Sequence, residues 1–290
     1  MGSEIETVYE RLQNGFDGLT RAERQLASVL LENWPVSGLG SITKVADNAG
    51  VSTPTVARMI QKLGFSGFPG FQAALRDELE AKISGPIEKH ERWSSEAPDT
   101  HILNRFADAI LNNLRQSLSQ IKPEDFDKAC ALLANLECSV FIAGGRITHT
   151  LAEYLFLHMQ MIRSGTTLIP SNDAAWPHYM LDMKKNDVLV VLDVRRYQND
   201  LLKLAEAAEA RGVKIILITD QWRSPVAAHA AYTFSCRIEA PSAWDSNAAL
   251  LVLLETIIAH VQTSTWDTTE RRTEELEDLF DKTRLFRKFK

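Results

Sequence analysis

Two apolar runs, DVLVVLDV (187–194) and VKIILITD (213–220), constrain this 290-residue chain more than any other feature. Each run is continuous rather than alternating, so both faces of the strand must be covered. That is the condition of a parallel sheet with helices on either side. Between them lies DLLKLAEAAEARG (200–212), apolar at helical spacing and closed by Gly212. The same alternation extends outward. SVFIAGG (139–145) and AYTFSC (231–236) read as strands, and HTLAEYLFLHMQMI (149–162) and 245–262 as helices, with two more helical segments at 102–119 and 124–136. Strands alternating with helices predict a doubly wound parallel α/β domain over 101–265. A helical tail over 266–290 places Leu276, Leu279 and Phe280 on one face.

The first 83 residues follow a different pattern, a series of short helices that predicts an all-α domain. Thr20 stands three residues before Glu23, a capping box, and Leu26, Val29 and Leu30 repeat at helical spacing until Pro35 stops the run. Ser41 opens a second helix that Gly50 closes, Ser52 opens a third that Gly64 closes, and a fourth covers about 68–82. SGPIEKHERWSSEAPD (84–99) mixes Gly, Pro, Ser and charge without periodicity, so 84–100 reads as a linker between the two domains.

The segment ITKVADNAGVSTPTVARMIQ (42–61) has the spacing of a helix-turn-helix. Ala46 allows two helices to cross closely, Gly50 permits the tight turn, and Val45, Val51, Val56 and Met59 fall on the buried side. An ordinary packed helical hairpin would share that spacing. The polar start Ser-Thr-Pro-Thr is what favours DNA, because the second helix of such a motif enters the major groove by its N-terminal end. Ser52 is expected to cap the helix, and open amides in the first turn to hold a phosphate. Thr53, Thr55, Arg58 and Lys62 are the exposed candidates for DNA contact.

Composition bounds the partners. Hydrophobic residues make up 45% and charged residues 24%, as in globular proteins. The three cysteines form no metal or disulfide spacing, and the seven histidines contain no paired-ligand pattern. The reading is therefore a cytoplasmic protein without a cofactor and without a membrane span. The net charge is −6, and acidic residues outnumber basic ones across the first 83 positions. DNA binding then requires two copies of the domain, a homodimer or higher homo-oligomer. The stripe Leu103, Phe106, Ile110 and Leu114 is a face for that pairing.

LTRAERQLASVLLENW (19–34), SITKVADNAGVSTPTVARMIQKLGFSGFPGFQ (41–72) and the α/β region together resemble the RpiR-type (MurR/RpiR) transcriptional regulators. The resemblance covers nearly the whole chain, and KLGFSGFPGF is its most specific part. There Phe65, Phe68 and Phe71 would pin the fourth helix onto the recognition helix. The family joins an N-terminal helix-turn-helix domain to a C-terminal SIS (sugar isomerase) domain that senses phosphosugars or related metabolites.

Ligands of doubly wound sheets bind beyond the C-terminal ends of the strands. Those ends carry GGRITHT (144–150), DVRRYQND (193–200), TDQWRSP (219–225) and PSAWDS (241–246). Phosphosugar-binding SIS domains resemble one another in a Ser-x-Ser-Gly-x-Thr loop. The matching positions here are Asp193, Arg195, Arg196 and Gln198, so every hydroxyl is gone. Ala143 and Ile147 replace the first glycine and the serine of the family's Gly-x-Gly-x-Ser turn. In their place the sequence offers Gly144 and Gly145 at a helix start, Arg146, Asp193, Arg195, Arg196 and Tyr197 as ligand-binding candidates for a carboxylate or phosphate. Each has a structural alternative. The glycines suit a plain turn, and the arginines suit ion pairs with Asp193, Asp200 or Asp220. Trp222 and Trp244 suit either a pocket wall or the core.

Three functions follow: an effector-controlled DNA-binding regulator, an SIS-type sugar-phosphate isomerase, or an interaction protein whose α/β domain serves only to dimerise. An isomerase needs a base beside the sugar carbons, for which Glu153, His149, His158 and Glu255 are the available groups. With the phosphate loop replaced, the regulator is the favoured reading.

Overall fold

The structure is a computed structural model that describes residues 6–32, 34–95 and 101–284. It divides into two compact units, Met1–Glu88 and Lys89–Lys290.

The N-terminal unit holds α1 (Val8–Gly15), α2 (Arg21–Glu32), α3 (Ile42–Ala49), α4 (Thr53–Lys62) and α5 (Phe68–Ile83). The capping box of α2 is formed, with the Thr20 amide donating to Glu23 Oε2 at 2.8 Å and the Glu23 amide to Thr20 Oγ1 at 3.4 Å. Ser41 Oγ caps α3 by accepting from the Lys44 amide at 3.2 Å. Leu26, Leu30, Val45, Ala46, Val56 and Met59 fill one core, and Phe71 and Leu75 of α5 close it. Phe71 is fully buried, with Phe65 edge-on at 5.6 Å and Phe68 tilted at 6.0 Å between ring centroids. The aromatic extension thus anchors α5, as its spacing suggests.

The region expected to be a linker contains a helix, α6 (Pro86–Ser95). Its composition hides it, because Pro86 sits at the first helical position, where proline costs nothing, and too few apolar residues follow to set a period.

The C-terminal unit continues with α7 (Ile102–Ser119), α8 (Pro123–Ala134), β1 (Val140–Gly144), α9 (His149–Ile162), β2 (Thr166–Leu168), α10 (Trp176–Asp182), β3 (Val188–Asp193), α11 (Asn199–Ala210), β4 (Lys214–Asp220), β5 (Tyr232–Cys236), α12 (Ala248–Ser264) and α13 (Trp266–Thr283). Five parallel strands form one sheet in the order β2-β1-β3-β4-β5. Every residue of β3 is buried, as are six of the seven in β4, which is why both runs lack alternation. On one face Phe141, Leu189, Val191, Ile215 and Leu217 meet Leu201, Leu204 and Ala208 of α11. On α12, Leu250, Leu253, Leu254, Ile257 and Val261 are buried, and this helix packs among α7, α8 and α9. Two elements escape the sequence reading. β2 is a half-buried edge strand of three residues, and α10 is a two-turn helix. Neither is long enough to show a period.

Among the described residues, no single helix is long and apolar enough to cross a membrane. Only α12 and α13 taken together satisfy both length and composition, and they bend by 99° at their junction.

Candidate functional site

The turn between α3 and α4 is built as the spacing requires. Gly50 adopts a left-handed conformation at φ 63°, and the Val51 amide returns to the Ala46 carbonyl at 3.0 Å. Gln25 of α2 locks the corner by donating to the Ala49 carbonyl at 2.8 Å. On α4 the exposed side carries Ser52, Pro54, Arg58, Gln61 and Lys62, with Thr53 half-buried.

Three expectations for this helix need correction. Ser52 occupies the cap position but makes no capping bond; its hydroxyl pairs with Thr55 Oγ1 at 2.9 Å. Thr55 is buried rather than exposed, and its hydroxyl also accepts from Arg58 Nη2 at 3.3 Å. The Thr55 and Val56 amides both donate to the Ser52 carbonyl, and Pro54 has no amide proton. In the first turn, only the Thr53 amide is left for an outside acceptor.

Lys62 is half-exposed, but its ammonium lies 2.7 Å from Glu23, which is buried in the core of the unit. Burial opposes ionisation of Glu23, yet the Lys62 bond and the Thr20 amide and hydroxyl outweigh it, holding the carboxyl below its ordinary range. Lys62 therefore has a structural duty besides any contact with DNA. The face also includes Gln61, which the sequence reading missed although it lies one helical turn from Arg58.

At the C-terminal ends of the strands, two buried carboxylates organise the loops. Asp193 accepts from Ser224 Oγ at 2.5 Å, and its carbonyl accepts from Thr219 Oγ1 at 2.6 Å. Asp220 accepts from the Arg195 amide at 2.6 Å, the Tyr197 hydroxyl at 2.7 Å and the Trp222 amide at 2.9 Å. Burial raises all three titratable groups here. Asp193 is pushed up to about 6, and Asp220 and Tyr197 also lie above their ordinary values.

The Gly144–Gly145 turn is closed in the same way. The Gly145 amide bonds to Leu192 O at 3.2 Å and Thr148 Oγ1 at 2.8 Å, and the Arg146 amide to Gln198 Oε1 at 2.8 Å. A Cβ on Gly144 would stand 2.6 Å from the Thr148 carbonyl, so this glycine serves close strand–helix packing.

The chain matches two family models, "Helix-turn-helix domain, rpiR family" over residues 6–82 and "SIS domain" over residues 132–260. It is 27% identical over 225 residues to an uncharacterized HTH-type transcriptional regulator of Clostridium perfringens, covering 76% of this chain and 77% of that one. It is 24% identical to the HTH-type transcriptional regulator RpiR of Escherichia coli K12, covering 74% and 71%. The N-terminal domain is thus a helix-turn-helix of the rpiR family and the C-terminal domain a SIS domain. Its fold also matches the structure of Vibrio vulnificus NanR complexed with ManNAc-6P, at TM-score 0.54 and 16% identity, over 94% of this chain and 98% of that one.

In the SIS domain the predicted ligand residues divide sharply. Asp193 and Tyr197 turn inward to the bonds described. Arg195 is buried, stacked 4.1 Å above the Trp222 ring, and paired with Asp245 at 3.1 Å and Glu239 at 3.8 Å. Those partners are not the aspartates that the sequence proximity suggested. Trp222 is accordingly structural, whereas Trp244 is exposed. Arg146 and Arg196 are exposed, and Arg196 adopts φ 62°, a left-handed conformation that directs it away from its neighbour.

The raised Asp193 carboxyl has a measurable consequence. The folded chain keeps a proton that the unfolded chain sheds near 3.8, so this group's contribution to stability falls as pH rises from 3.8 through about 6. Asp193→Asn, which keeps an acceptor for Ser224, is expected to flatten the decline in melting temperature over that interval. A slope identical to the parent's would exclude Asp193 as its source.

Proposed function

We propose that this transcription regulator is cytoplasmic and binds an operator as a dimer. In this reading its SIS domain senses a small anionic metabolite, a phosphorylated sugar or a carboxylate, without acting as an enzyme. One observation carries the reading. Arg146 and Arg196 stand on adjacent strand-end loops tied together by Gln198, and neither guanidinium has a side-chain partner among the described residues. Forked, unpaired cations at that edge of a parallel sheet suit two-point recognition of phosphate or carboxylate. Beside them, His149 Nδ1 is shielded from water with no hydrogen-bond partner. The phosphosugar bound by NanR, a protein of the same fold, agrees with this chemistry.

Of the other candidate bases, Glu153 is exposed. Glu255 accepts the Tyr154 hydroxyl at 3.0 Å, and the His158 ring packs on Tyr154 at 4.6 Å. That cluster has an internal explanation on α9 and α12, so the isomerase reading gains nothing from it.

On DNA, Arg58 is the proposed reader of a base. Arg58→Ala is expected to weaken binding to an operator selected from a random library by about 1–3 kcal/mol. Lys62→Ala is a poorer probe, because it strands the buried Glu23 carboxylate. Affinity and salt dependence unchanged in Arg58→Ala would refute the groove assignment.

Pairing is expected through α7, where Leu103 is 72% exposed and Leu111 51%. Phe106 is only just exposed, and Ile110 and Leu114 of the expected stripe are half-buried, so the open line runs through Leu103, Leu111 and Leu118. Sedimentation at micromolar concentration should show a dimer that Leu103→Glu with Leu111→Glu dissociates. A parent that sediments as a monomer while binding its operator tightly contradicts this.

The effector site is testable by thermal shift over a panel of phosphorylated sugars and carboxylates. A ligand at about a hundred times its Kd stabilises by about 2.7 kcal/mol. Arg196→Ala or Arg146→Ala should abolish the shift and leave the melting temperature of the free protein unaltered. Arg195→Ala should lower that temperature before any ligand is added. If no compound shifts the parent, the α/β domain is a dimerisation module.

A further inference from the structure

Lys89 lies in the stretch expected to be a linker, yet only 2% of its surface is exposed. It belongs to α6, in the first turn beyond the N-terminal unit, which ends at Glu88. Its ammonium bonds Asp245 Oδ1. The other oxygen of the same carboxylate, Oδ2, lies 3.1 Å from Arg195 Nε in an ion pair that lacks hydrogen-bond geometry. One aspartate therefore holds two cations from segments more than a hundred residues apart, and Glu239 balances the charge from the far side of Arg195. Arg195 has little freedom to move alone. Its guanidinium lies flat on Trp222, its amide is bound to Asp220, and its peptide neighbour is Arg196.

A buried ammonium that loses its carboxylate is strongly destabilised, because desolvation is no longer compensated. Lys89 can stay inside only while Asp245 faces it, and Asp245 is oriented by Arg195. We propose that the chain Lys89–Asp245–Arg195 couples the β3–α11 loop to α6, the helix whose first three residues, Pro86 to Glu88, end the N-terminal unit. The coupling itself depends only on these contacts; its regulatory meaning rests on the reading of Arg196 as an effector group. On this account Arg195 is a positioning residue that touches no effector, and the charge balance of the cluster keeps α6 in place while the loop is empty.

Hydrogen–deuterium exchange on the full chain tests the coupling. In Arg195→Met, the amides of α6 are expected to exchange about 5-fold faster or more, the lower end of site-to-site couplings, with β3 and β4 unchanged. Coupling is reciprocal, so Lys89→Met should alter exchange over 194–198. That variant removes a buried charge and carries the test if Arg195→Met fails to fold. Operator affinity should change in both variants, and the double variant should differ from the parent no more than the stronger single one. Unchanged exchange over 194–198 in Lys89→Met, or additive effects on affinity, overturns the proposal. A parent chain that binds no DNA overturns the regulator reading instead, and leaves the exchange result standing.

Discussion

The strand-end loops of this protein depend on two carboxylates that the sheet carries out of water. Asp193 and Asp220 end adjacent parallel strands, and both are almost wholly buried. A buried carboxylate must collect donors, and here the donors come from the loops themselves: Ser224, Tyr197, and the amides of Arg195 and Trp222. The need to satisfy these two groups shapes the β3–α11 and β4–β5 connections. It fixes which arginine lies inside and which reaches solvent. Six donor contacts among the described residues, counting the Gln198 amide on Asp193 Oδ1 at 3.5 Å and the Thr219 hydroxyl on the Asp193 carbonyl, make this edge of the sheet a set scaffold rather than a loose collection of loops.

This arrangement stands where the family resemblance implies a hydroxyl-rich loop. The aspartate at the end of β3 takes its hydroxyl partner from within the chain, Ser224. The two arginines then serve different ends. Arg195 is neutralised by Asp245 and Glu239 and joins α6 to the sheet, while Arg196 is left open beside Arg146. An adjacent pair that looks redundant in sequence becomes one structural cation and one available cation, because a left-handed backbone at Arg196 separates their directions.

The N-terminal unit follows the same logic on a smaller scale. Glu23 caps α2 and also receives Lys62 from α4, so one buried carboxylate ties α2 to the recognition helix. Gly50 and Gln25 set the corner, and Phe71 seals the opposite side. The exposed face of α4 is what remains once these demands are met.

Sequence alone determined the order and type of nearly all long elements. Continuous apolar runs admit only buried strands, helical spacing persists over three or more turns, and glycine ends a helix by its left-handed freedom. The helix-turn-helix, the parallel sheet and the family resemblance were all legible for that reason. The short elements α1, α6, β2 and α10 were not, since segments of three to ten residues with few apolar positions set no period. Nor was the fate of individual polar side chains. Whether Thr55, Asp193, Arg195 and Lys62 face solvent or a partner depends on groups 3 to 50 positions away, such as Ser52, Ser224, Asp245 and Glu23. Only the tertiary structure brings those partners within hydrogen-bonding distance, and so only it could separate the charges that hold the fold from those left free to bind.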